Sequence, residues 1–315
     1  MAPSVLGLEE HFIGQAVLES SHDAMFLDSV MENLSDLGEK RLQDMDRGNM
    51  HIQVVSHIPD VQPPAVCRAV NDQLSDAIQN SGGRFRGFAF LPMATPDAIA
   101  DELERCVKSL GFLGALIPSH ANGRYYDEAA YRAMFEKAQQ LDVPIYLHPT
   151  VADDLQRYAG NYDRVAQDVI AGPGLCWHTD VAVHILRLYA SGLFDAYPRL
   201  KLILGHNGES LPFMLERVDR MFSRRWVSKE RGSRSFMSVW NENIWITTSG
   251  MYHLGPLKCC LEMCKPDRVL YSLDYPFEDP KDGLEFMKVL QKSGIVTEEQ
   301  FKMICEGNAR KLLGI

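Results

Sequence analysis

The sequence has no run approaching the roughly 18 consecutive apolar residues of a membrane-spanning helix. Met1-Ala2-Pro3-Ser4 puts no basic stretch ahead of an apolar one, so neither a membrane partner nor a secretory leader is expected and the reading is cytoplasmic. Positive charge is in short supply: 32 Lys and Arg against 42 Asp and Glu leave a net charge of -10, which argues against nucleic acid as the main partner. The seven cysteines (Cys67, Cys106, Cys176, Cys259, Cys260, Cys264 and Cys305) include no Cys-x-x-Cys pair, are odd in number and fall mostly in apolar helical patterns. Reduced buried thiols are expected rather than a disulfide framework, and no histidine stands near Cys260 and Cys264 to complete a zinc site. There is no P-loop, no Gly-x-Ser-x-Gly, no His-Glu-x-x-His and no Gly-x-Gly-x-x-Gly after a strand, which removes the common nucleotide, serine-hydrolase and metalloprotease templates. Internal repeats and low-complexity tracts are also absent.

What is present is alternation. The chain has 315 residues, 46% hydrophobic and 23% charged, enough to bury a large core. Short β-rich segments alternate with helical stripes throughout, the pattern of a parallel sheet with crossover helices. The expected strands are 4–9, 52–56, 85–91, 114–118, 144–148, 200–205, 244–248 and 269–273. Between them, Thr95-Pro96 reads as a helix start before the stripe Ile99, Leu103, Val107 and Leu110, with Gly111 as its stop. Tyr131, Met134, Phe135, Ala138 and Leu141 make a second stripe, and Thr297 with Gln300 has capping-box spacing. Eight β/α units predict an α/β fold, a (β/α)8 TIM barrel spanning 1–315 as one domain. Helical insertions at its mouth are expected at about 20–47 and 150–199.

In such a barrel the chemistry sits at the C-terminal ends of the strands, and there the sequence concentrates its metal ligands. The first strand ends Glu9-Glu10-His11. Residues i and i+2 share a face, so Glu9 and His11 reach one point while Glu10 turns away. The fifth strand ends at His148, the sixth at His206-Asn207-Gly208-Glu209 and the eighth at Asp274. A single histidine or aspartate there is usually a structural hydrogen-bonding residue, but four such strands on one rim point to a metal. Glu9, His11, His148 and Asp274 are the expected ligands, two nitrogens and two oxygens that suit one Zn²⁺ or Mn²⁺, with Mg²⁺ also admitted. The fourth strand ends Pro118-Ser119-His120 and offers no lysine for a bridged two-metal site.

His206 and Glu209, three apart, have the spacing of an oriented acid/base pair, or of a histidine that only supports a ligand. Arg217, eight residues further on, reads either as a bidentate partner for a substrate carboxylate or as a solvated helix arginine. His57 and His178 are mouth candidates. Phe12, Phe26, Trp177, Tyr252 and Phe277 are candidate readers of a substrate ring. The cluster Arg224, Arg225, Lys229, Arg231 and Arg234 reads as a charged loop or a subunit contact.

The segments LEEHF, YLHPT, LGHNGE, NIWITTSG, YSLDYPFE and the closing GNARKLLGI resemble the amidohydrolase superfamily over nearly the whole chain. Within it the resemblance is to the metal-dependent decarboxylase branch related to aminocarboxymuconate-semialdehyde decarboxylase. Opening on Glu-x-His rather than His-x-His, together with DYPFE, is similar to the γ-resorcylate, 2,3-dihydroxybenzoate and 5-carboxyvanillate decarboxylases. The resemblance implies that Glu9, His11, His148 and Asp274 hold one divalent metal, that His206 and Glu209 assist, and that Arg217 matches the arginine near the substrate. His57 and Phe277, as mouth and lid residues, are the further substrate-binding candidates. The implied reaction is loss of CO2 from a small ortho-hydroxy aromatic carboxylate, with Asp274 protonating the ring carbon. A homo-oligomer, dimer or tetramer, is expected on the same ground. A metal-dependent hydrolase of a lactone or amide is the alternative, and a catalytically dead barrel serving as a scaffold is the third reading.

Overall fold

Apolar runs of a few residues, too short to make helices, form nine strands among the described residues, and all their pairings are parallel. The structure is a computed structural model and describes residues 3–20, 28–151, 154–224 and 234–315. The strands are β1 Val5–Phe12, β2 Met50–His57, β3 Phe85–Gly87, β4 Ala89–Phe90, β5 Ala115–Pro118, β6 Ile145–His148, β7 Leu202–Leu204, β8 Ile244–Thr247 and β9 Val269–Leu270. They form a three-stranded sheet in the order β1-β2-β3 and a six-stranded sheet in the order β4 to β9. Helices separate most successive strands, so the fold is α/β with parallel strands.

The expected strand at 85–91 is divided in two. At Phe88 the chain changes partners: Phe88 N–H donates to Val55 O at 2.9 Å, and Ala89 N–H donates to Gly114 O at 2.8 Å. One segment thus serves β2 with its first half and β5 with its second. The Phe88 side chain packs in an apolar cluster with Leu6, Leu8, Val54, Leu116, Tyr146, Ile203 and Leu270, to which β1, β2, β5, β6, β7 and β9 each contribute. The C-terminal residues Ala309, Leu312 and Leu313 join it. A larger cluster holds the stripes of the surrounding helices, including Ile99, Leu103, Met134 and Phe135. Burying side chains on both faces explains why the strands read as continuous apolar runs.

The expected helix punctuation is met in part. Thr297 and Gln300 form the reciprocal capping box, and Gly111 ends the helix Pro96–Leu110 in the left-handed region at φ 72°. Thr95, by contrast, makes no side-chain cap: Pro96 at the first helical turn supplies the start without it. All seven cysteines are free thiols. No helix of the described residues is long and apolar enough to cross a membrane.

Candidate metal centre and active site

β1 brings the first ligands into place through an irregularity. Between Gly7 and Glu10 the strand advances three residues while β2 advances only two, from Gln53 to Val55. A bulge of this kind re-aims side chains at the end of a strand. Glu9 and His11 are fully buried and converge with His148, at the end of β6, and with Asp274, in the loop after β9. The four ligand atoms all lie within 4.8 Å of one another. His148 Nε2 is 2.8 Å from Glu9 Oε1, His11 Nε2 is 4.0 Å from the same oxygen, and His11 Nε2 is 3.5 Å from Asp274 Oδ1.

Glu9 Oε1, His11 Nε2 and His148 Nε2 are all buried without an aligned hydrogen bond. Such orphaned atoms are rare in a folded chain, and here three of them face one point. Their outer atoms are tied down. His148 Nδ1–H donates to Pro149 O at 2.7 Å, His11 Nδ1 lies 3.4 Å from Ser56 Oγ, and Glu9 Oε2 accepts from the Tyr146 hydroxyl. Tyr146 in turn meets Thr247 Oγ1 at 2.8 Å. Imidazoles and carboxylates held from behind, with their inner atoms bare, are the arrangement a divalent cation requires. Two nitrogens and two oxygens fit one Zn²⁺ or Mn²⁺.

The electrostatics agree. Burial alone would raise the Glu9 carboxyl, but His206, His148 and His11 outweigh it and hold it well below the usual carboxylate range. Burial would likewise raise Asp274, and the imidazoles of His11 and His206 beside it bring it below its ordinary value. His11 is pushed down by burial, toward the neutral imidazole a metal needs. Burial would lower His148, and Glu9 turns the shift upward.

Beside the cluster stands a second unit. His206 Nδ1 is 2.8 Å from Glu209 Oε1, and the other oxygen, Oε2, is 2.6 Å from His178 Nδ1. His206 Nε2 faces Glu9 Oε1 and Asp274 Oδ2, each at 3.8 Å. Burial opposes protonation of His206, but Glu209 and Glu9 outweigh it and raise the imidazole well above its usual value. Glu209 is brought down to about 2: His206 and His178 overcome the rise that burial alone would give. The turn that makes this possible is left-handed, with φ of 47° at His206, 56° at Asn207, 79° at Gly208 and 55° at Glu209. Gly208 is needed there, because a Cβ would also lie 3.0 Å from Ile246 and 3.1 Å from Pro212.

The amidohydrolase family model matches residues 30–315. The chain belongs to the amidohydrolase family. This amidohydrolase chain is 45% identical to decarboxylase orsB of Emericella nidulans over 100% of its own length and 98% of the relative's. It is 36% identical to a γ-resorcylate decarboxylase of Polaromonas sp., with 98% and 97% covered. Among solved structures it resembles a dihydroxybenzoic acid decarboxylase from Polaromonas sp. JS666 with bound manganese and the inhibitor 2-nitroresorcinol, at a TM-score of 0.87 and 34% identity over 99% and 97% of the two chains.

Other expected residues of the amidohydrolase site are distributed unevenly. The Phe277 ring is 5.9 Å from that of His11 and is 41% exposed, as suits a residue at the rim. His57 is buried, stacked on Phe90 at 4.3 Å, and its Nδ1 contacts Ile58 O at 2.7 Å. Burial lowers it to about 4, so it is neutral, and its Nε2 has no partner. Arg217 is exposed on the helix Leu211–Phe222 and is not part of the ligand cluster found among the described residues. Phe12 is sealed in the core. Arg234 is tied to Glu242 at 2.8 Å, whereas Phe26, Arg225, Lys229 and Arg231 lie outside the described residues.

Three residues at the site escaped the sequence reading. Tyr146 looked like any apolar strand position. Arg41 is fully buried in a helix of charged residues, where it donates to His11 O and lies 4.7 Å from the centre of the Tyr275 ring. Glu10, outside the cluster of four ligands, is fully buried, and its partners gave no sequence signal.

Proposed function

We propose that this protein is a metal-dependent, non-oxidative decarboxylase of a small ortho-hydroxy aromatic carboxylate. The observation that carries the reading is the convergence of Glu9 Oε1, His11 Nε2 and His148 Nε2, buried and unpartnered, beside Asp274. Likeness over the whole chain to hydroxybenzoate decarboxylases supports it, and nothing in those relatives favours the lactone or amide hydrolase.

Glu9, His11, His148 and Asp274 would hold the ion. Bound there, a divalent cation supplies the positive charge that orients a carboxylate with its ortho phenolate oxygen and stabilises negative charge on them. Asp274 gives its proton to the ring carbon bearing the carboxylate. The bond from that carbon to the carboxylate then breaks, its electron pair restores the aromatic ring, CO2 leaves and the proton stays in its place. In the free chain His11 and His206 keep Asp274 ionised, so the acid must be loaded before it can act. An anionic substrate opposes that ionisation, and His206, cationic and 3.8 Å away, is the group that hands Asp274 its proton. Glu209 orients His206. His57 and Phe277 contact the substrate, His57 as an acceptor. Arg217 is assigned to the substrate carboxylate by resemblance alone.

The finer architecture belongs to the same reading: a closed (β/α)8 barrel in one domain. The bridge between Glu10 and Tyr275, with Asp274 N–H donating to Glu9 O at 3.1 Å, supports closure between β1 and the last strand. Within this reading the described parts of the stretches 20–47 and 150–199 are assigned to the mouth. Support comes from Ile13 N–H, which donates to Leu34 O at 2.9 Å just beyond β1, and from His178, which reaches Glu209. Exposed Phe213 and Met214 support pairing with a second copy. A cytoplasmic location completes the assignment.

The test is to load purified protein with Mn²⁺ or Zn²⁺, offer a panel of ortho-hydroxybenzoates and record CO2 and the phenol formed. Release that vanishes on chelation and returns with metal is expected. Turnover of lactones or amides, with none on any hydroxybenzoate, would overturn the reading.

A further inference from the structure

Glu10 lies between two candidate ligands, yet its carboxylate is directed at a third. Oε1 accepts from Ser272 Oγ–H at 3.1 Å and from Leu273 N–H at 3.0 Å, and Oε2 accepts from Tyr275 N–H at 3.3 Å. These three donors straddle Asp274. The network reaches the other ligand strand as well, because Ser272 Oγ accepts from Glu9 N–H at 2.7 Å and from Leu8 N–H at 3.2 Å. His11 N–H donates to Tyr275 O at 2.6 Å. The backbone holding Glu9 and His11 is therefore stitched to the backbone holding Asp274 through one buried carboxylate and one hydroxyl.

Two details show that the space is built for this group. A Cβ on Gly7 would lie 2.1 Å from Glu10 Oε1, so only glycine leaves room for the carboxylate. Asp274 has φ 75°, in the left-handed region that non-glycine residues rarely occupy unless their surroundings impose it. The hydrogen bonds that Glu10 accepts from both sides of Asp274 are that imposition.

We propose that Glu10 is the positioning residue that sets the backbone of Asp274 and so fixes its carboxylate relative to Glu9 and His11. The inference rests on the metal-centre reading above. Its chemistry needs a carboxylate. Burial raises the Glu10 carboxyl to about 8 against the pull of its donors and Arg41. The three groups facing its two oxygens are all donors, and an amide would turn an NH2 group toward at least one of them.

The experiment compares unaltered protein with Glu10→Gln, both loaded with Co²⁺ as a spectroscopic probe. Absorption bands, Co²⁺ affinity against a competing chelator, and melting temperature are read without any substrate. The expected result for E10Q is shifted Co²⁺ bands and an affinity about 10–100-fold weaker, as when a partner behind a ligand is removed. Where decarboxylation is measured, kcat falls and KM changes little. If E10Q does not fold, Ser272→Ala carries the same comparison by removing the hydroxyl between the two strands. A lowered melting temperature with bands and affinity unchanged would overturn the proposal and leave Glu10 a buried structural residue. Absence of Co²⁺ binding in the unaltered protein would overturn both this inference and the metal centre. Binding that is normal in the unaltered protein and identical in the variant sinks this inference alone.

Discussion

The Tyr146 hydroxyl donates to Oε2 of Glu9, which leaves Oε1 of the same carboxylate as the bare oxygen facing His148. A carboxylate bonded on one oxygen is fixed in rotation, and this bond decides which lone pairs a metal meets. Tyr146→Phe keeps the ring in its apolar cluster and removes only the donor. Metal affinity should fall about 10–100-fold with little change in melting temperature. Titration of the metal-free protein with Mn²⁺ checks it, and equal affinity in variant and parent would show that Glu9 needs no such support.

Removing the acid/base residue should separate chemistry from metal binding. His206 is not among the four ligands, so His206→Asn should retain its metal while kcat drops about 10²–10⁴-fold. Metal content by elemental analysis and turnover on the best hydroxybenzoate give the two readouts. Loss of metal together with activity would make His206 a ligand instead.

How much of this site was legible depended on whether a local rule carried it. Glu9, His11, His148 and Asp274 stood out because strand ends are readable and their side-chain chemistry is distinctive. His206 and Glu209 followed from a spacing of three, although the turn joining them is left-handed rather than helical. The partners of Glu10 gave no signal, because alternation along a strand says nothing about a backbone more than 260 residues away. Tyr146 gave no signal: a tyrosine in an apolar run differs from its neighbours only by a hydroxyl whose partner is 137 residues distant. The division of β3 from β4 was equally hidden, since changing partners at Phe88 leaves no mark in composition.

His178 should tune the same histidine from one step away. It donates to Glu209 at 2.6 Å, and Glu209 holds His206 protonated. In His178→Leu the Glu209 carboxyl rises from about 2 yet stays ionised, and with one donor fewer it is a stronger acceptor for His206, so the His206 pKa rises further. His206 acts here as a cation, so the alkaline limb of the kcat–pH profile should move to higher pH, while the less firmly held Glu209 orients His206 less well and kcat falls. A charged hydrogen bond of about 1.5–3 kcal/mol bounds the loss of kcat at roughly 10–100-fold. An unshifted limb would confine His178 to a packing role.

Acid stability should be governed in part by a histidine remote from the metal centre. His184 is fully buried and accepts from Tyr126 N–H through Nε2 at 3.0 Å, so it must be neutral at that nitrogen. Burial depresses it to about 3, whereas an unfolded histidine titrates near about 6.5. Between these values the unfolded chain binds a proton that the folded chain refuses, so the free energy of unfolding falls as pH falls. One such group costs about 1 kcal/mol between pH 6 and pH 5. His184→Gln offers a side-chain oxygen to the same N–H and has no proton to take up, so its decline over that interval should be shallower than the parent's. Urea midpoints at the two pH values, measured with chelator present so that the metal ligands do not contribute differently, test this. The protein would have to lose stability at the same rate with and without His184 for the argument to fail, and in that case the acid response would lie with His57, lowered to about 4 by the same burial.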